Sequence, residues 1–350
     1  LSCKEPPELS VVVPVLNEAL TLPLFLAELA RQRDLRLEAV IVDGGSSDGS
    51  PETASALAAG VDYPLRVLSG KKGRGAQLNL GAGAAYAPAL LFLHVDSSFP
   101  DPLALRRGLD AWQAATAGGG DRVAGHFALC FRFPGKPPLP YRFYGAKATL
   151  DRPGCTHGDQ GMLLGRGYFE RLGGFDATLP LLEDTFLAER VRREGRWLLL
   201  PARIETSPRR FLAEGLLPRQ LLNAMLMNLA FTGHLELIAP LRDVYRSQGE
   251  ISRLQPAGCL HALAGLIAAL PQPERRRLYA ASGRYLLDNA WQVPFFLDVL
   301  CGRAGEGAGG PLLGVHDRLF GRLLANRAAQ LAATALVRGW FKAMLFGWRG

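Results

Sequence analysis

The sequence predicts an α/β fold with a mainly parallel central sheet, followed by a mostly helical C-terminal extension. Short runs that are apolar almost throughout, such as S-V-V-V-P-V at residues 10–15 and E-A-V-I-V at residues 38–42, recur along the first half. Helix-periodic segments separate them. From residue 216 onward the strand signals give way to stretches rich in Leu, Met and Ala. Wholly apolar strands alternating with helices are what a parallel sheet covered on both faces requires.

Residues 10–15 read as the first strand, with a helix over residues 22–29. Residues 38–42 form the second strand, ending at Asp43, and S-D-G-S-P at residues 47–51 supplies helix-start residues for a helix to residue 59. A short strand over 65–68 and a helix over 75–86 follow. Residues 90–94 read as a strand and residues 101–115 as a helix. An aromatic-rich strand covers 122–133, then P-G-K-P-P-L-P at 134–140 reads as a loop. G-D-Q-G at 158–161 turns into a short strand, E-D at 183–184 opens a helix to 193, and residues 197–200 are another buried strand. Helices suit residues 257–270, 274–287, 289–300 and 313–346, with G-R-A-G-E-G-A-G-G-P at 302–311 as the clearest internal linker.

Composition narrows the class. Charged residues make up 21% and apolar residues 48%, the balance of a folding chain. The five cysteines, at 3, 130, 155, 259 and 301, show no C-x-x-C pair, so neither a disulfide framework nor a zinc ribbon is expected. A reducing, cytoplasmic setting is expected, with no secretory signal and no apolar run of membrane-spanning length. The net charge of +8 is uneven: residues 242–350 hold 14 Lys and Arg against 7 Asp and Glu, and the first 241 hold 26 against 25. No zinc-finger, RNP or Lys/Arg-block motif accompanies this, so nucleic acid is not the expected partner, while a membrane surface stays open.

Ligands of open parallel sheets sit beyond the carboxyl ends of the strands. Asn17 and Glu18, Asp43, Lys71 to Arg74, and Asp96 all follow strand ends and so share one rim. Asp48 is better placed to cap its own helix. P-V-L-N-E after the first strand lacks the glycine fingerprint of a dinucleotide fold, and G-K-K-G-R-G at 70–75 lacks the G-K-[ST] of a phosphate loop. Further along, Asp159, Gln160, Glu183 and Asp184 are acid, base or acceptor-side candidates, and Arg209 with Arg210 offers two guanidiniums to an anion. His94 reads as a hydrogen-bonded structural residue. His157 stands immediately before G-D-Q-G, with a site role open beside a structural one.

Seven motifs in order carry a resemblance: V-V-P-V-L-N-E-A, V-D-G-G-S-S-D-G, G-R-G-A-Q-L-N-L-G, L-F-L-H-V-D, G-D-Q-G, G-G-F-D and L-E-D. The chain resembles the family 2 inverting glycosyltransferases over residues 9 to about 235. H-V-D, G-D-Q-G, L-E-D and T-S-x-R-R together look like a bacterial subgroup found near radical-enzyme and selenium- or arsenic-linked genes. The resemblance implies a GT-A nucleotide-sugar domain over 1–235 and a helical extension of unassigned role over 236–350. It implies a nucleotide pocket lined by Pro14, Asn17 and Glu18, Asp43 reading the base, and Asp96 as the first Asp of a D-x-D element holding Mg²⁺ or Mn²⁺. Ser98 stands where the second Asp belongs.

The reaction so implied is a single displacement at an anomeric carbon. Asp184, or less favourably Glu183, takes the acceptor hydroxyl proton, and a divalent metal with basic groups steadies the departing nucleoside diphosphate. A UDP-sugar donor and a small-molecule or lipid acceptor are expected. A nucleotidyltransferase of similar build and a noncatalytic sugar-nucleotide-binding or scaffold protein are the competing readings. In the last helix, Arg327, Arg338, Lys342 and Arg349 share one sector, and Val337, Trp340, Met344 and Trp348 the next. That pattern fits either core packing or a peripheral position at the inner membrane face, and a homodimer surface is a further expectation for this region.

Overall fold

The structure, a computed structural model, describes residues 5–246, 253–320, 323 and 326–347. It divides into two compact units, Leu1–Ser207 and Pro208–Gly350. Position 235, where the sequence suggests a boundary, lies inside the second of these, in a short 3₁₀ turn at Leu235–Leu237.

The first unit is built on seven strands: β1 (Leu9–Val15), β2 (Leu37–Asp43), β3 (Leu65–Ser69), β4 (Ala89–Phe92), β5 (Val123–Phe131), β6 (Met162–Gly165) and β7 (Arg196–Thr206). Their order is β3-β2-β1-β4-β6-β5-β7. β1 pairs in parallel with both β2 and β4, β2 in parallel with β3, and β5 in parallel with β7. β6 alone runs antiparallel, to β4 on one side and β5 on the other. The strand order therefore reverses between β1 and β4, and a crevice opens outside their carboxyl ends.

Helices α1 (Leu22–Ala30), α2 (Ser50–Leu57), α3 (Arg74–Ala84), α4 (Ala104–Thr116), α5 (Leu139–Lys147), α6 (Arg166–Arg171) and α7 (Glu183–Glu194) accompany the sheet. The core packs Val12, Val42 and Phe92 against Leu78 of α3 and Leu187 and Val191 of α7. The Phe92 ring lies 4.9 Å from those of Phe169 and Phe175, edge-on to the latter. Every residue of β2 is buried, its apolar run Ala39–Val42 lying between the buried carboxylates of Glu38 and Asp43.

Two strands differ from expectation in ways that matter for the site. β4 stops at Phe92, because the amide of Ser97 turns back to the carbonyl of His94 at 3.1 Å. Asp96 therefore sits in a turn beyond the strand. β7 continues past Pro201 to Thr206, where the sequence suggested an end at Leu200. The register of β5 against β7 shifts between His126 and Ala128, opposite that proline. A bulge is the place where a strand tolerates a residue without an N–H.

The second unit is helical: α8 (Arg209–Glu214), α9 (Leu216–Phe231), α10 (Ile238–Arg246), α11 (Pro256–Ala269), α12 (Gln272–Asp288), α13 (Gln292–Leu300), α14 (Pro311–Val315) and α15 (Arg327–Gly347). α9 buries Leu222, Met225, Leu226 and Leu229, one stripe of a 3.6-residue period. The single helix expected over 313–346 is divided: α14 passes into a π-helical turn at His316–Phe320, and α15 follows.

The glycine-rich segment 302–311 connects α13 to α14. It folds back inside the second unit, with a bridge between Gly305 and Gly309. Asp298, fully buried, accepts the amides of Leu312 (3.1 Å) and Leu313 (2.8 Å) at the start of α14. A buried carboxylate on unpaired amides at a helix start is strongly favoured. Among the described residues, no helix is long and apolar enough to cross a membrane.

Candidate active site

Two polar clusters line the carboxyl ends of the strands in the first unit, and α3 joins them. The first cluster follows β1 and β2. Asn17 adopts φ 56, a left-handed conformation that asparagine tolerates better than other side chains. Its amide donates to Ser46 Oγ (2.8 Å), and its Oδ1 accepts from the Ser47 amide (2.9 Å). The amide of Glu18 donates to Ser50 Oγ (2.8 Å) and that of Ala19 to Asp48 Oδ2 (2.9 Å). Asp48 also accepts from the Ser50 hydroxyl, and these bonds hold its carboxyl below the usual range. The loop after β1 is thus laced to the loop after β2.

Asp43, buried at the end of β2, accepts from the amides of Gly45 (2.8 Å) and Ser46 (3.1 Å). Much of its acceptor capacity therefore shapes its own loop. Pro14 pairs with Val42 in the sheet. Gln77, reached from α3, donates to the carbonyls of Val15 and Val42, both at 2.8 Å. A Cβ on Gly44 would stand 2.9 Å from that amide group, so the loop lies flat on Gln77. Lys71 is exposed in the loop after β3.

The second cluster gathers residues far apart in sequence. Arg74 opens α3, and its Nε lies 3.3 Å from Glu183 Oε1 while its Nη1 is 3.4 Å from His94 Nε2. Glu183 and Asp184 open α7, entered through Leu182 at φ 68. A left-handed backbone at a leucine is uncommon and costs on the order of 1–3 kcal/mol. That strain sits immediately before the two carboxylates.

Asp184 Oδ1 accepts from the amide of Thr185 (2.7 Å) and Oδ2 from that of Gly158 (2.8 Å). Burial pushes its carboxyl up, but Arg74, His157 and the Gly158 amide more than reverse this, leaving it below the ordinary value. Glu183 moves the other way: burial raises it, and Arg74 offsets only part of that. Gly158 is where only a glycine fits, since a Cβ there would lie 2.9 Å from both Asp184 Oδ2 and His94 Nε2.

Asp159 is pushed up to about 7, first by burial and then by the negative charges of Asp184 and Asp96. Its Oδ1 and the Oε1 of the neighbouring Gln160 are buried with no hydrogen-bond partner. Native proteins leave few such atoms, and a ligand is a common reason for one. Gln160 is held from its other end, where Nε2 donates to the Cys155 carbonyl at 2.7 Å. Arg74 answers this concentration of carboxylates. Burial lowers its pKa, and Glu183, Asp184, Asp159 and Asp96 together carry it above the ordinary value.

His157 stands beside α7. Its Nε2 is 3.2 Å from the Gly154 carbonyl, which can only accept, so Nε2 carries the proton and Nδ1 accepts from the Thr185 hydroxyl at 2.9 Å. Burial lowers the pKa of this imidazole, and the nearby Asp184 carboxylate offsets part of that. Asp96 Oδ2 accepts from the Thr206 hydroxyl at 3.3 Å. Ser98 exchanges backbone hydrogen bonds with Glu205 (2.9 and 2.8 Å), and its hydroxyl accepts from Arg132. The residue where a second Asp was expected is tied to the end of β7. Among the described residues, no three His, Cys, Asp or Glu side chains are grouped as a ready-made metal site. Arg209 and Arg210 lie in the second unit, exposed at the start of α8.

Several contributors escape a reading of the sequence. Gln77 and Asn79 lack a local signal. Asn79 grips the backbone of Phe175 through both amide atoms, at 2.7 and 2.9 Å, and so fixes the G-G-F-D loop. Arg74 is legible only as a basic residue on the strand-end rim, and its ion pair with Glu183 is not. Thr206 reaches Asp96 only because β7 runs past its proline.

Comparison with known proteins fits this arrangement. Residues 10–166 match the family model "Glycosyl transferase family 2", a little under half of the chain. That match lies wholly within the first unit. The fold is GT-A-like, a central α/β sheet with a helical extension. Among curated proteins, the chain is similar to the "PGL/p-HBAD biosynthesis glycosyltransferase" of Mycobacterium bovis (strain BCG / Pasteur 1173P2) and to that of Mycobacterium tuberculosis (strain ATCC 25177 / H37Ra). Each is 34% identical over 102 residues, covering 29% of this chain and 40% of the relative. The chain thus spans about two fifths of the length of these relatives.

Similar solved structures include the mannosyltransferase PcManGT from Pyrobaculum calidifontis in complex with GDP-Man and Mn2+, with TM-score 0.49 and 19% identity over 96% of this chain and 88% of that one. They also include S. aureus TarS 1-349 in complex with UDP, with TM-score 0.46 and 16% identity over 84% and 87%.

Proposed function

We propose that this protein is an inverting glycosyltransferase that moves a sugar from a nucleotide-diphosphate donor, a UDP-sugar in the first instance, to an acceptor hydroxyl. The observation that carries the reading is the opposed tuning of two neighbouring carboxyls. Asp184 is held below the ordinary range by Arg74, His157 and the Gly158 amide, and Asp159 is pushed up to about 7. Groups whose environments drive their proton affinities apart mark acid–base sites.

In this proposal, Asp184 is ionised at neutral pH and takes the acceptor hydroxyl proton as the oxygen attacks the anomeric carbon. The bond from that carbon to the diphosphate oxygen breaks in the same step, and the configuration inverts. Asp159 and Gln160, with their unpartnered buried oxygens, receive hydroxyl groups on the acceptor side. Glu183 holds Arg74 in place. Arg74 and Lys71 offer positive charge to the departing diphosphate. His157 is a positioning residue, acting through Thr185 on the turn that carries Asp184. On the donor side, Asn17 and Glu18 shape the loop beside Pro14, and Asp43 reads the base with the acceptor capacity its own loop leaves over.

A divalent cation, Mg²⁺ or Mn²⁺, would be held by the hard carboxylate oxygens of Asp96, whose Oδ2 has only the Thr206 hydroxyl at 3.3 Å, together with diphosphate oxygens. Bound there, it would neutralise charge on the leaving diphosphate. Ser98 is committed to Glu205 and Arg132 and is no ligand in this arrangement. Cation binding is accordingly weak without nucleotide and strong with it. The acceptor is a small molecule or a lipid. The setting is the cytoplasm. The motif set H-V-D, G-D-Q-G, L-E-D and T-S-x-R-R favours the bacterial subgroup described above.

The test is a panel of UDP-, GDP- and dTDP-sugars with Mn²⁺, scored by nucleoside diphosphate release, with Asp184→Asn as the control. The proposal expects release from one donor class and a fall of about 10²–10⁴-fold in the variant, the usual contribution of a general base. Pyrophosphate release from a nucleoside triphosphate and a sugar phosphate would instead establish a nucleotidyltransferase. Donor binding without turnover would establish a noncatalytic binder.

A further inference from the structure

Among the described residues, the last helix of the second unit has one buried face and two largely exposed ones. Ala333 and Phe341 are buried, and Thr334 meets Gly283 of α12 so closely that a Cβ there would stand 2.6 Å from its Oγ1. That is the packed face. At 100° per residue, Arg327, Arg338 and Lys342 fall in an arc of about 60° on a second face. Arg338 lies over the Tyr279 ring at 5.1 Å. The third face spans an arc of about 140°. It presents Leu336, Trp340 and Phe346 among Ala332, Ala335 and Ala343, and all six are exposed.

The exposure is large for such side chains: 65% for Leu336, 45% for Trp340 and 71% for Phe346, with Leu331 at 62% inside the basic arc. Val337 and Met344, which the sequence groups with Trp340 as an apolar sector, are half-buried and belong nearer the packed seam. The position of Trp348 and Arg349 lies outside the described residues. α13 repeats the pattern on a smaller scale, exposing Val293, Leu297 and Leu300 at the spacing of one helix face.

We infer that the second unit docks on an anionic lipid surface, with the Leu336–Trp340–Phe346 face of α15 entering the headgroup boundary and Arg327, Arg338 and Lys342 against lipid phosphates. Scattered exposed apolar residues need no explanation, whereas a contiguous apolar helix face beside a basic one is the signature of an interfacial helix. α15 contains three basic residues and no acidic one. The charge of the whole chain points the same way. Residues 208–350 hold 17 Lys and Arg against 9 Asp and Glu, and residues 1–207 hold 23 of each. All of the excess positive charge is in the unit with the exposed apolar helix.

The same charge argues against a second copy of this chain as the occupant. A two-fold pairing through this face would bring each basic arc beside its own copy, at a repulsive cost. A lipid phosphate surface reverses the sign of that interaction, and each Lys or Arg near it adds to the attraction. The inference does not depend on the transfer reaction and is tested without it.

The experiment is flotation of the full chain with extruded vesicles at about 0.1 M salt, where charge attraction is not yet screened out. One vesicle set contains phosphatidylglycerol in phosphatidylcholine, and the other phosphatidylcholine alone. The chain should float with the anionic vesicles and stay behind with the neutral ones. Leu336→Ser with Phe346→Ser, and separately Arg327→Glu with Lys342→Glu, should each lower binding by about tenfold or more. Both variants should keep the thermal unfolding of the parent, since all four side chains are exposed. Should the serine pair fail to fold, the charge-reversed pair carries the same test. Absence of flotation with anionic vesicles would overturn the inference, as would full binding by the charge-reversed variant. A parent that scatters light as a dimer, becomes monomeric with the serine pair and ignores both vesicle types would show that a second copy is the occupant.

Discussion

The two units of this chain solve opposite electrostatic problems. The first is neutral overall yet crowds four carboxylates and one arginine beyond its strand ends, where burial amplifies every charge. The second carries the net positive charge and buries a carboxylate, Asp298, on helix amides, where it is structural. Acidic side chains are thus buried in both, but in the first they leave oxygens unpartnered and in the second the carboxylate is fully engaged. The unpartnered oxygen of Asp159 leaves a place for a ligand, whereas Asp298 braces a helix start.

Substitutions can break that contrast. The largest effect is expected for Gly158→Ala, because the new methyl would meet both Asp184 and His94 at 2.9 Å. Turnover should fall at least about 10²-fold, since small displacements of a reacting group are costly. Kinetics of the folded variant check this, and near-parental turnover would separate Gly158 from the site.

Asp159→Asn should change the dependence of stability on pH. In the folded state Asp159 titrates at about 7, and unfolded it returns to about 3.8. Between those values the folded chain keeps a proton that the unfolded chain releases, so stability falls as pH rises from about 4 to 7. The asparagine variant lacks that loss and should gain on the parent across the window, by about 4 kcal/mol at its upper end. Parallel denaturation curves at pH 5 and 7 would remove Asp159 from the charge cluster.

Asp298→Ala tests the brace. It frees two amides at the start of α14 and should destabilise the second unit by about 1–3 kcal/mol. Hydrogen exchange should rise in α13 and α14, with the strands of the first unit unchanged. The smallest effect belongs to Asn79→Ala, about 1–2 kcal/mol for the two hydrogen bonds to Phe175.

How much of this was legible beforehand depends on the range of the forces involved. β1, β2 and α1 fall within a residue or so of their expected bounds, since buried parallel strands and an amphipathic helix write their periods into consecutive residues. The extension of β7 was hidden by Pro201, which ends most strands and survives here opposite a register shift. The connection at residues 302–311 falls between α13 and α14 as its glycines suggest, but the hold that Asp298 keeps on its far end was not legible. At the site, the residue types at strand ends were legible, but pairings were not. Arg74 meets Glu183 and Thr206 meets Asp96 across about a hundred residues of chain, a link that no local pattern records.

The central claim is that Asp184 drives a single displacement at the anomeric carbon, and the stereochemistry of the product tests it most directly. Proton NMR of the transferred sugar, taken early in the reaction with a donor of known configuration, should show the opposite anomeric configuration, and Asp184→Asn should yield almost no product. A product that retains the donor configuration, or an Asp184→Asn variant that forms it at the parental rate, would contradict the account.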